Sequence, residues 1–135
     1  MRTNRAGAGG NRYDGHTMSI ERIESGPRMS QAVIYNKTVY LAGQVAANAR
    51  GRSVAEQTRD ILSRIEQLLS EAGSDKSHIL SATIWLVDMA SFAEMNSVWD
   101  RWVVDGATPA RATVVSAQLA GADYKVEIAI IAAQR

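Results

Sequence analysis

The chain has 135 residues, 46% of them apolar and 21% charged, with no cysteine, which is enough for one compact domain and too little for two ordinary ones. Fifteen Lys and Arg face fourteen Asp and Glu for a formal charge of +1, but Arg2, Arg5 and Arg12 against Asp14 put +2 on residues 1–18 and leave −1 on residues 19–135. This composition excludes disulfides, thiolate nucleophiles and thiolate metal sites, and it offers no basic cluster with which to track a nucleic-acid backbone.

Residues 1–18 scatter Gly7, Gly9, Gly10 and Gly15 among polar side chains, with nothing apolar to offset the entropy of ordering them. A flexible extension is expected, with an arm ordered by a neighbouring subunit as the alternative. The segment lacks the apolar centre of a secretory signal, and no run approaches the roughly 18 apolar residues of a membrane span. A cytoplasmic protein with no membrane association is the expectation.

From Ser19 the pattern becomes structured. ERIES alternates polar and apolar residues, Gly26-Pro27 punctuates it, and QAVIYNKTVYLAG reads as two strands turning at Asn36-Lys37. SVAEQTRDILSRIEQLLSEAG then predicts a helix. Ser53 and Glu56 have capping-box spacing, Ile61, Leu62, Ile65, Leu68, Leu69 and Ala72 form one stripe, and Gly73 stops it. His78–Val87 is rich in β-branched and aromatic residues and reads as a strand reached by a crossover, so the sheet should be mixed.

A second helix is expected from about Ser91, where Ser91 and Glu94 repeat the capping-box spacing and Phe92, Met95, Trp99 and Trp102 make a stripe facing the sheet. Beyond Gly106 and Pro109, ARATVVSAQL and YKVEIAIIA read as two strands closing the domain as a hairpin. The predicted fold class is α+β: a mixed sheet of about six strands in the order β-β-β-α-β-α-β-β, with two helices on one face. The other face carries apolar groups and has no cover within the chain, so it should meet another subunit.

Few residues invite a chemical reading. His16 and His78 cannot build a multi-histidine metal site, and no HExxH, EF-hand, Walker, GxGxxG or GxSxG motif occurs. Trp85, Trp99 and Trp102 fit core or subunit packing, and no serine has an evident base. Arg111 in TPARATVV and Glu127 in YKVEIAIIA stand out because each is a charge in an apolar strand. Burial of either alone is costly, so the two form a structural salt bridge or they mark a binding site, where arginine matches a carboxylate and glutamate holds a water.

The pieces GPRMSQAVIYNKTVYLAGQV, SVAEQTRDILSRIEQLLSEAG, ATIWLVDMASFAEMNSVWDRW, TPARATV and KVEIAIIA, in this order and spacing across about residues 20–133, resemble the Rid (YjgF-like) family of reactive-intermediate deaminases, also labelled endoribonuclease L-PSP. The resemblance implies a chorismate-mutase-like fold assembled as a homotrimer, with ligand pockets between neighbouring subunits. It implies that Arg111 clamps a substrate carboxylate and that Glu127 positions the attacking water, with Ser30, Gly43 and Asn96 also at the pocket. The implied reaction is hydrolysis of a 2-imino acid, formed from an enamine such as 2-aminoacrylate, to a 2-oxo acid and ammonia, with no metal or organic cofactor.

The chain departs from the family pattern at two points. The usual GPYSQA is GPRMSQA, which puts Met29 where the family has a pocket tyrosine, and the usual second glutamate of the last strand is Ala129. Arg28 either faces solvent or adds a second positive group for a more acidic substrate. A redirected substrate is therefore an expectation, and a noncatalytic trimer that binds a small carboxylate metabolite is the alternative. The near-neutral body and the lack of a histidine pair speak against the ribonuclease activity in the family label.

Overall fold

The computed structural model describes residues 19–135, so the expected extension and His16 lie outside the described residues. The strands are β1 (Glu21–Ser25), β2 (Ser30–Tyr35), β3 (Thr38–Leu41), β4 (Gln44–Val45), β5 (Ile79–Leu86), β6 (Ala110–Val115) and β7 (Val126–Ala133). The helices are α1 (Val54–Glu71), between β4 and β5, and α2 (Phe92–Trp102), between β5 and β6. The sheet runs β1-β2-β3-β7-β5-β6, with β4 also on β7. It is mixed, because β5 and β6 are parallel and the other pairs antiparallel.

Local chemistry sets the turns and caps. Asn36 and Lys37 both take positive φ, 51° and 63°, the twist a two-residue hairpin requires. The Ser53 side chain accepts the Glu56 N–H while the Glu56 side chain accepts the Ser53 N–H, so two otherwise orphaned donors at the start of α1 are satisfied. Gly73, at φ 78°, supplies the left-handed residue that ends the helix.

Alternation along the strands sorts residues onto two faces. Ala82, Ile84 and Leu86 of β5 and Val126, Ile128, Ile130 and Ala132 of β7 are buried beneath the helices. They meet Ile61, Leu62, Ile65, Leu68 and Leu69 of α1 and Met95, Val98 and Trp99 of α2 in one core. The opposite face has no cover among the described residues and exposes Tyr35, Tyr40, Val114 and Ile131.

The structure corrects four details. The last two strands do not form a hairpin: β6 pairs with β5, and β7 inserts between β5 and β3, because the parallel crossover through α2 leaves the central position to the chain's final strand. Gln44–Val45 adds a seventh strand, too short to show alternation. Ser91 makes no side-chain cap; Asp88 caps a short 3-10 turn over Met89–Ser91, and the Glu94 side chain accepts the Ala55 N–H of α1. Phe92 leaves the buried stripe and is exposed, while Met95 and Trp99 stay within it.

Candidate functional site

The predicted site residues fall on two opposite faces of the sheet. Arg111 of β6 stands opposite Ala82 and so points toward the helix-covered side. Its Nη1 donates to Asn96 Oδ1 at 2.8 Å, and its guanidinium lies 5.3 Å from the Trp99 ring centroid and 5.7 Å from that of Phe92. Phe92, Asn96 and Trp99 occupy steps of four and three on α2, one helical face. The two rings and one amide therefore hold the guanidinium in place through cation–π attraction and a hydrogen bond.

Thr113 follows Arg111 on the same face of β6, opposite Ile84. Its buried Oγ1 lacks a hydrogen-bond partner among the described residues.

Glu127 of β7 stands opposite Trp85 and Val45, on the face without helices. Between the pairs Tyr40↔Ile131 and Gln44↔Ile128 the β3–β4 side spans four steps and β7 three. One extra residue is thus inserted at Ala42-Gly43, a β-bulge of the kind that re-aims neighbouring groups. The Glu127 carboxylate lies against the Gly43 backbone, where any side chain on residue 43 would collide with it. Burial there raises the Glu127 pKa above the usual carboxylate value, because desolvation disfavours the charged form.

Gly43 and Val45 also form part of a cavity of about 370 Å³ that includes Met29, Gln31 and Gln44. Ser30 does not line it; the Ser30 hydroxyl sits 2.7 Å from that of Ser25, across the β1–β2 pair. A larger cleft of about 430 Å³ lies between the starts of α1 and α2 and contains none of the predicted residues. Its polar groups already serve the fold: Glu94 holds the Ala55 N–H, Asp88 the Ala90 N–H, and Lys125 Nζ donates to the Arg52 carbonyl.

Arg111 and Glu127 form no salt bridge. They point to opposite faces, on strands separated by β5, so one chain cannot close both on one ligand. Each chain instead carries two separate clusters, Arg111 with Asn96 and Glu127 with Gly43. The Gln31 and Gln44 walls were missed in sequence, although the Gly-Gln pair at 43–44 marked the place. Among the described residues no group of three or more His, Asp or Glu could hold a metal ion, and no helix is long and apolar enough to cross a membrane.

Residues 19–134 match the family model described as endoribonuclease L-PSP. The chain belongs to this family. Members similar to it include the RutC family protein YoaB of Escherichia coli, 47% identical over 116 residues that cover 86% of this chain and 99% of that one. A 2-iminobutanoate/2-iminopropanoate deaminase of Bos taurus is 34% identical over 110 residues, covering 78% and 79%. A solved YjgF-family structure from Neisseria meningitidis superposes with a TM-score of 0.85 at 48% identity and covers 89% of this chain and 98% of that one. These relatives in the L-PSP family, also called Rid or YjgF-like, bear out the family resemblance and the α+β fold with two helices on a mixed sheet.

Proposed function

We propose that the protein hydrolyses a reactive 2-imino acid to the 2-oxo acid and ammonia, at a site completed between neighbouring copies of the chain. The observation that carries this reading is the Glu127 carboxylate lodged against Gly43, with its pKa raised by burial. A carboxylate so placed is a better proton acceptor than one in open solvent, because its pKa is raised, and it can hold and orient a water. Membership in a family that includes the bovine 2-imino acid deaminase supports the substrate class.

The reaction asks for three things. A substrate carboxylate must be held, and the planar fork of Arg111, steadied by Asn96, Phe92 and Trp99, offers paired N–H donors for it. Water must attack the C=N carbon, and Glu127 orients that water and takes its proton as the C–O bond forms. The proton then passes to nitrogen, the C–N bond of the tetrahedral carbinolamine breaks, ammonia leaves, and the C=O of the 2-oxo acid forms. Positioning supplies most of the acceleration, since holding water and imine together removes an entropic cost.

The two clusters lie on opposite faces, and the face bearing Glu127 also exposes Tyr40 and Ile131. A homotrimer that packs these bare faces around a common axis would bring one chain's Glu127 edge to its neighbour's Arg111. The replacements at Met29 and Ala129 favour a second reading, a carboxylate-binding trimer without turnover. The test is ammonia release from freshly generated imino acids by wild type, Arg111→Ala and Glu127→Ala. Acceleration lost in both variants is expected; no acceleration with any imino acid overturns the deaminase reading, and Arg111-dependent binding without turnover establishes the second.

A further inference from the structure

Two of the three tryptophans are accounted for on the helix-covered side. Trp99 is buried in the core with the Arg111 guanidinium 5.3 Å from its ring centroid. Trp102 donates from Nε1 to Glu66 Oε2 at 2.8 Å, and the Lys76 ammonium lies over its ring. Trp85 does neither. It stands half-buried on the uncovered face of β5, as the register partner of Glu127.

The register names every neighbour of Glu127 on that face. Val45 is opposite it on β4 and Trp85 is opposite it on β5, while Lys125 and Ala129 lie two residues away along the chain. Lys125 turns away, since its Nζ donates to the Arg52 carbonyl at 2.9 Å. Ala129 is too short to cover a carboxylate, and its own partner on β5 is the uncharged Thr83. At the β3–β4 turn the carboxylate meets the Gly43 backbone. Asp60 and Arg64, which share a cavity with Gly43, belong to α1 on the other side of the sheet.

Glu127 therefore has no ionised partner among the described residues, and desolvation is what raises its pKa. The question is which group excludes the water. Directly opposed residues on antiparallel strands hold their Cβ atoms about 4.5–5.5 Å apart, so an indole at residue 85 spans the β5 flank of a carboxylate two methylenes from the backbone. Val45 guards the other flank with a much smaller side chain. Gly43 contributes backbone alone.

We infer that Trp85 is a positioning residue for Glu127: its indole closes the β5 flank of the carboxylate, confines it against the Gly43 bulge and limits the water that reaches it. The consequence for turnover rests on the deaminase reading; the effect on the carboxylate does not. Two measurements on the full chain keep them apart. In the first, the Glu127 carboxyl is titrated by 13C NMR, with Glu127→Gln to assign it, in wild type, Trp85→Ala, Trp85→Phe and Val114→Ala. Val114 is the control, because it lies on the same face beyond Trp85 on β6 and is 42% exposed.

Trp85→Ala should lower the midpoint toward the ordinary carboxylate value, Trp85→Phe should keep it raised, and Val114→Ala should leave it where it is. In wild type the Trp85 Nε1–H resonance should shift with the Glu127 midpoint and lose that shift in Glu127→Gln, a readout that needs no change at residue 85. In the second, kcat/KM for freshly generated imino acids is followed against pH in the same proteins. The acid limb should move with the NMR midpoint, and Trp85→Ala should lose about tenfold or more at neutral pH, the penalty of a reacting group allowed to wander, with most of the rate restored in Trp85→Phe.

A Trp85 resonance that ignores Glu127, a midpoint unmoved in Trp85→Ala, or an equal drop in Val114→Ala overturns the inference and returns Trp85 to subunit packing. The expected titrations with no turnover of any imine sink the deaminase reading and leave the assignment of Trp85 standing.

Discussion

A Cβ built on Gly43 would lie 2.1 Å from Glu127 Oε2. The β-bulge at residues 42–43 brings backbone and carboxylate this close, and only glycine leaves the space. Since the clash is with the end of a flexible side chain, the fold can yield by swinging Glu127 away. Gly43→Ala should therefore keep its thermal midpoint within a few degrees while losing imine hydrolysis by about a hundredfold, the penalty of a small misplacement of a reacting group. Unchanged kcat/KM in a folded Gly43→Ala protein would remove Glu127 from the chemistry.

The raised pKa of Glu127 has two consequences of opposite kind. For activity, the carboxylate must be ionised to accept a proton from water, so kcat/KM should fall as pH drops through a value above the usual carboxylate range. For stability, the folded chain holds the proton more tightly than the unfolded one, so stability falls as pH rises from the unfolded to the folded pKa. Glu127→Gln should thus melt at a higher temperature than wild type at neutral pH and show a residual rate without the acid limb. A lower melting temperature together with an unshifted pH profile would contradict the burial argument.

Arg111 is held by a hydrogen bond to Asn96 and by two rings. Arg111→Lys preserves the charge and loses the two-pronged geometry, and KM for the imino acid should rise by more than tenfold. Asn96→Ala leaves the guanidinium in place with more freedom, and a smaller rise in KM, about threefold to tenfold, is expected. Steady-state kinetics of the two variants side by side check the order; an equal effect on kcat alone would point to a different role for the arginine.

Tyr40 and Ile131 are register partners on the uncovered sheet face, 45% and 37% exposed. If copies pack on this face, Ile131→Lys places an unpaired ammonium in the interface, which is strongly unfavourable. Light scattering after size exclusion should then show a trimer for wild type and a monomer for the variant, and imine hydrolysis should be lost if the site is completed between copies. A variant that stays trimeric would place the interface elsewhere.

Thr113 buries a hydroxyl with no partner among the described residues. Thr113→Val keeps the branched shape and removes the orphan, so thermal unfolding should shift upward by a few degrees, reflecting about 1 kcal/mol of recovered desolvation cost. A downward shift in the melting curve would mean that the hydroxyl gains a partner in the assembled protein.

Much of the architecture was legible from local chemistry. The capping box at Ser53 and Glu56, the apolar stripe of α1 and the turn at Asn36-Lys37 each depend on residues close in sequence, and each appears in the structure. Arg111 and Glu127 were conspicuous for the same reason, as charges in apolar strands. The two-residue strand β4 was invisible because it is too short for alternation, and the second capping box failed because Asp88 and Glu94 took up other donors, one of them on the other helix.

The sequence by itself determined the two helices, the principal strands and the residues that carry charge into them, since periodicity, caps and turns act over a few residues. Only the tertiary structure decided that β7 lies in the centre beside β5, that a bulge brings Gly43 onto Glu127, and that Arg111 and Glu127 point to opposite faces. Strand order and register depend on pairing between distant segments, and a shift of one residue turns a side chain to the other face. The same local pattern is compatible with a hairpin of the last two strands; the crossover through α2, which leaves the place beside β5 and β3 to the last strand, rules it out.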